Sequence, residues 1–212
     1  MKLLNPLLIA LSLCAILLSC KQTENKQPGQ SDVIEEAGDL NKVPQHKINS
    51  VYQTRSGKSF QLIINKNERS LNDIIIVPTD FENSTDSLII NDADPVSQAF
   101  IADLNGDGFD EFYVITTSTG SGSYSSIQGI ASNSDKSATP VYVPEISEQD
   151  LADSLKFQGY MGHDSIYLQE GFIARKFPVY KEGDANCCPT GGYKTLRHSL
   201  VAGEASWILT LN

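Results

Sequence analysis

From residue 46 onward the chain runs in short apolar stretches broken by glycine, asparagine, aspartate and serine, and almost nowhere do apolar residues return at helical spacing. The pattern predicts strands over Ile48–Thr54 and Phe60–Ile64, joined through Arg55-Ser56-Gly57-Lys58, then over Ile74–Pro78, Ser87–Asn91, Gln98–Asp103, Glu111–Thr117, Ile127–Ala131 and Pro140–Val143. A second set follows at Ser165–Gln169 and Phe172–Val179, broken at Glu170-Gly171, and at Tyr193–Val201 and Ser206–Leu211, broken at Ala202-Gly203-Glu204. Glycine in such breaks suits tight hairpins. One helix is expected at Glu148–Lys156, where Ser147 can cap and Asp150 stands three residues on. Strands this numerous must pair their edges and bury their apolar faces. The expected fold is therefore all-β, an antiparallel β-sandwich or partly closed barrel with at most one short helix.

The first 45 residues follow another pattern. Met1-Lys2 precede an apolar segment, Leu7–Leu18, that is too short to span a bilayer comfortably, which marks residues 1–19 as a secretory signal. The segment ends in Leu17-Leu18-Ser19-Cys20, matching the lipobox of bacterial lipoproteins. Cys20 is thus expected to be the lipidated N-terminus of the mature chain, anchoring it in the cell envelope, at the outer membrane facing the periplasm. Residues 20–45 are rich in Gln, Glu, Asn, Lys, Gly and Pro and offer few large apolar groups, so they are expected to form a flexible tether. One β-rich domain, 46–212, remains.

Charge narrows the partners. The chain carries a formal net charge of −10, and loss of the signal removes Lys2 but no acid. No basic patch interleaved with aromatics occurs, which argues against nucleic acid, whereas an acidic field favours cationic proteins. Cys14 leaves with the signal and Cys20 is to be acylated, so only the adjacent pair Cys187 and Cys188 stays free. Their spacing does not suit a metal, and they are expected to form a rigid turn, with a vicinal disulfide as one candidate state.

Two constellations rise above this background. In Asp103-Leu104-Asn105-Gly106-Asp107-Gly108-Phe109-Asp110-Glu111, oxygen ligands alternate at Asp103, Asn105 and Asp107, and Glu111 returns a carboxylate, an array that suits Ca²⁺. It is not an EF-hand, because the twelfth loop position is Val114; it resembles the D-x-[DN]-x-D-G-x-x-[DE] loops of integrin-propeller-type and dockerin-type calcium sites. The same residues equally describe an Asx-rich hairpin turn, and both alternatives stand open. No cofactor is required by either. The second constellation, Ser121-Gly122-Ser123-Tyr124 within Thr117–Ser126, sits beyond the next apolar run. Gly120 and Gly122 permit a narrow protruding loop with hydroxyls of Ser121 and Tyr124 at its tip, while composition alone also fits a flexible hairpin with Tyr124 packed on the sheet.

The order D-L-N-G-D-G-x-x-E, apolar strand, then G-S-G-x-Y resembles the periplasmic inhibitors of invertebrate-type (I-type) lysozyme. The resemblance runs from about Ile48 to Glu145; residues 146–212 form a C-terminal extension expected to pack on that part. It implies a secreted β-sandwich whose S-G-x-Y serine and tyrosine, here Ser121 and Tyr124 with Gly122 and Ser123 between them, enter the lysozyme cleft. The implied partner is a lysozyme and the implied chemistry is blockade without turnover. The residues themselves also point away from an enzyme. Gly120-Ser121-Gly122 is half of a nucleophile elbow, and His46, His163 and His198 are scattered without a motif that makes one a base. Asp92 with Asp94, or Asp110 with Glu111, are close in sequence, but neighbours on a strand face opposite ways. Trp207 is expected in the core, and Lys194, Arg197 and His198 at solvated positions. The alternative function is a calcium-stabilised envelope lipoprotein that binds glycan or protein without inhibiting an enzyme.

Overall fold

Alternating apolar residues build three meanders in a computed structural model that describes residues 47–66, 71–152 and 156–212. The signal, Cys20 and the tether lie outside the described residues. The first sheet holds β1 (Lys47–Gln53), β2 (Ser59–Lys66), β3 (Asn72–Thr79) and β4 (Leu88–Ala93). The second holds β5 (Val96–Ala102), β6 (Glu111–Thr117), β7 (Ser125–Asn133) and β8 (Ser137–Pro140). After α1 (Glu148–Ala152) comes the third, with β9 (Ser165–Gln169), β10 (Phe172–Pro178), β11 (Tyr193–Ala202) and β12 (Trp207–Leu211). Each sheet is antiparallel and ordered as its strands occur in the chain. The fold is all-β. Among the described residues no helix is long and apolar enough to cross a membrane.

The second sheet lies between the other two, and β6 explains why. On one face Phe112 and Val114 pack with Phe60, Leu62, Ile74 and Ile76 of the first sheet. On the other, Tyr113 and Ile115 pack with Ile166, Ile173, Leu200 and Leu209 of the third. A strand covered on both faces loses its polar alternation, which accounts for the unbroken apolar run Phe112-Tyr113-Val114-Ile115. Phe60 stacks on Phe112 with ring centroids 5.5 Å apart, and Tyr52 closes on the same ring at 4.7 Å. A fully buried side chain such as Phe60 or Phe112 contributes roughly 1.5–3 kcal/mol of transfer free energy.

The described residues beyond 146 therefore include a full third sheet, β9–β12, packed on the second. Its inner face is not uniformly apolar. Ile173, Arg175 and Phe177 share one side of β10, and Leu196, His198 and Leu200 share the matching side of β11. The polar pair divides the apolar surface into the cluster shared with the second sheet and a smaller one of Phe157, Phe177 and Leu196.

Local departures from the expected elements have physical causes. The strand expected at Pro140–Val143 ends at Pro140 instead, because Ser134 and Asp135 both take positive φ (53° and 59°) and fold Ser137–Pro140 back onto β7. Tyr142 then leaves the sheet, accepting from Leu209 N (2.9 Å) and donating to Trp207 O (2.8 Å), which ties the second layer to β12. Ser147 caps α1 as expected: its hydroxyl accepts from Asp150 N (3.1 Å) and the Asp150 carboxylate accepts from Ser147 N (2.9 Å). Within the described residues the helix spans Glu148–Ala152, and Lys156 lies in a turn. Trp207 is half-buried at the margin of the core rather than within it.

Candidate functional site

Strand β6 delivers the chain into the loop 118–124, and β7 takes it back. The loop closes on itself. Ser118 N donates to Tyr124 O and Tyr124 N donates to Ser118 Oγ, each at 2.9 Å, while Ser123 N donates to Gly120 O (3.1 Å) and adopts φ +42°. Ser121 and Tyr124 are exposed, Tyr124 at 51%.

The loop does not stand alone. His163 N donates to Gly122 O, the Asn186 amide donates to Ser121 O (3.2 Å), and the Tyr124 ring meets Tyr160 edge-on at 6.1 Å. Gly162, at φ +82°, lets the 160–164 turn come this close, since a Cβ there would collide with the Gly122 carbonyl. The braces all come from the third layer. Cys187 and Cys188 are joined in a vicinal disulfide within an exposed turn, next to Asn186, whose backbone carbonyl accepts from the Tyr180 hydroxyl (2.8 Å).

Beneath the loop lies a buried ionic knot. The Asp164 carboxylate is fully buried, is paired with the Arg175 guanidinium, and accepts from Ser125 N (2.8 Å) and the Tyr160 hydroxyl (3.2 Å). Arg175 also donates to Ser125 O (3.2 Å), and its Nε to His198 Nε2 (3.4 Å). Ser125, the residue after Tyr124, is thus gripped through its amide and carbonyl. Burial, and then the Arg175 charge, push His198 down to about 3. His198 is 4% exposed, which overturns its expected solvated position; Arg197 beside it stays exposed over the Phe172 ring. The in-phase spacing of Ile173, Arg175 and Phe177 was the signal in the sequence for an inward arginine.

The His198 shift fixes a pH dependence. An unfolded histidine takes up a proton near pH 6.5 while the folded one stays neutral down to about 3, so the unfolded state binds more protons in that window and stability falls as pH drops through it. In His198→Gln the slope of unfolding free energy over pH 4–6 should be smaller by about 1.4 kcal/mol per pH unit. Urea unfolding at several pH values checks this; parallel slopes would remove His198 from the account.

A groove of about 420 Å³ opens alongside the loop, with Tyr124, Gln128, Glu145, Tyr160 and Arg175 among its walls. Tyr124, which closes the base of the loop against Ser118, is thus also a wall of the groove.

At the opposite end of β6 the turn 103–111 gathers the other predicted residues. Asp103, Asp107 and Glu111 each place a carboxylate oxygen within 4.8 Å of the others. Asp103 accepts from the backbone of Gly106, Asp107 and Gly108, and Asn105 Oδ1 accepts from Asp107 N (3.0 Å). Asp110 turns the other way, onto Arg55 Nε and N. Glu111 is fully buried; Oε2 accepts from Leu104 N (2.8 Å), and Oε1 lies beside the equally buried Tyr113 hydroxyl. Burial, reinforced by Asp103, Asp107 and Asp110, pushes Glu111 up to about 8.

What fold and site define together is a three-layered all-β protein presenting a braced hydroxyl-bearing loop. Comparison with protein-family models, curated proteins and solved structures returns no match.

Proposed function

We propose that this chain is an envelope lipoprotein, anchored through Cys20, that inhibits I-type lysozyme by placing the Ser121–Tyr124 loop in the enzyme's cleft. The observation that carries this reading is Tyr124, half-exposed yet held at the base by Ser125 and at the flank by Tyr160. A braced, uncharged loop loses little conformational entropy on docking. Glycosidases work with a pair of carboxyl groups, and the Ser121 and Tyr124 hydroxyls are donors suited to them. The net charge of −10 favours encounter with a cationic enzyme. Nothing is turned over; substrate sugars are displaced.

The test is lysis of a cell-wall suspension by I-type, chicken-type and goose-type lysozymes in the presence of the protein. Selective protection against the I-type enzyme is expected, and undiminished lysis by all three would sink the proposal. The groove beside the loop favours one second reading, a glycan- or protein-binding lipoprotein that leaves lysis untouched.

A further inference from the structure

We propose that the turn between β5 and β6 is a calcium site, with Asp103, Asn105, Asp107 and Glu111 as its side-chain ligands. The inference does not rest on the lysozyme reading.

Charge is the first argument. Asp103, Asp107, Asp110 and Glu111 bring four carboxyl groups into nine residues, and among the described residues Arg55 is the cation recorded against them. Arg55 bonds Asp103 and Asp110, both at 2.9 Å, and leaves Asp107 without a countercharge. Asp107 is exposed and water can screen it. Glu111 has no such recourse.

Glu111 is the second and independent observation. Its side chain is 0% exposed, Oε2 is held by the amide of Leu104 in the turn itself, and Oε1 is sealed from solvent beside the Tyr113 hydroxyl, to which it makes no hydrogen bond of full geometry. A buried carboxylate oxygen left unpaired carries its full desolvation cost. The carboxylate head lies under the turn, one of its oxygens within 4.8 Å of ligand oxygens from both Asp103 and Asp107. A cation at the centre of these oxygens gives the buried Glu111 carboxylate a countercharge and neutralises Asp107 at once.

The donor set selects the ion. Every ligand is a carboxylate or amide oxygen, with no histidine or cysteine, which disfavours zinc and other nitrogen- or sulfur-seeking metals. Several oxygens offered by one pliable turn suit Ca²⁺, which accepts six to eight in irregular geometry; Mg²⁺ demands a strict octahedron and keeps its waters.

The experiment is calorimetric titration of CaCl2 into the full chain, detergent-solubilised and stripped with chelator, together with thermal melts. One ion per chain with Kd at or below about 1 mM is expected, the range of extracellular calcium modules. The melting midpoint should rise by roughly 5–10 °C at a hundredfold excess over Kd. Asp107→Ala removes an exposed ligand, so it should melt like wild type in chelator yet bind calcium at least tenfold more weakly. Any of three results would overturn the proposal: no saturable heat up to about 10 mM, an equal midpoint shift with MgCl2, or wild-type affinity in Asp107→Ala.

Discussion

Arg175→Leu is expected to lower the unfolding free energy by about 3–5 kcal/mol, because it leaves the Asp164 carboxylate, fully buried, without its countercharge. The variant also removes the donor to Ser125 O and to His198 Nε2, so the loss includes those two hydrogen bonds. Asp164 also receives Ser125 N, and Arg175 donates to Ser125 O, so the variant should loosen the base of the 118–124 loop as well. Removing both charges, in Asp164→Leu with Arg175→Leu, should recover part of the stability, since well-packed apolar pairs commonly replace a buried ion pair without loss. Loop order need not return with it. Chemical unfolding of the two single variants and the double variant forms the cycle. A loss under about 1 kcal/mol in Arg175→Leu would show that Asp164 finds its charge balance elsewhere.

Tyr124→Ala should weaken inhibition of I-type lysozyme by on the order of 2 kcal/mol or more, about 30-fold in the inhibition constant. Aromatic side chains at the centre of an interface carry binding energy out of proportion to their number. Tyr124 is also cheap to remove from the fold, because half its surface already meets solvent and its partner Tyr160 keeps its contacts with Phe157 and Phe177. A melting midpoint near wild type with lost inhibition would locate the energy in the contact. Tyr124→Phe divides ring from hydroxyl: the ring alone should retain part of the affinity. If Tyr124→Ala inhibits as wild type does, the loop does not enter the cleft.

Most strands were legible because a half-buried strand writes its burial into the sequence. Leu62, Ile64, Ile74 and Ile76 alternate with less buried neighbours, and the period of two survives translation into structure. Glycine and Asx residues marked the hairpins, and Ser147 with Asp150 marked the start of α1. The strand at Pro140–Val143 was misplaced because its register depends on Ser134 and Asp135 taking positive φ, which composition permits but does not dictate. The site was legible in part. Ser121, Gly122 and Tyr124 stood out by type, and so did the acidic turn.

The partners of these residues were not visible. Tyr160, Asp164, Arg175 and Asn186 lie from 36 to 65 residues beyond the loop positions they touch or support, and no local pattern links them. His198 was placed at the surface for the same reason: its burial is set by the second sheet covering that face of β11, not by its neighbours in the chain.

The sequence by itself determined the class of fold, the approximate place of most strands and the two ends of β6 where polar chemistry concentrates, since these follow from local periodicity and turn preference. The tertiary structure alone decided that three sheets stack with β6 in the middle, and that the third sheet braces the loop. Layer order and long-range bracing arise from which faces find each other in space, a matter of surface complementarity between segments that the linear order of residues does not encode locally.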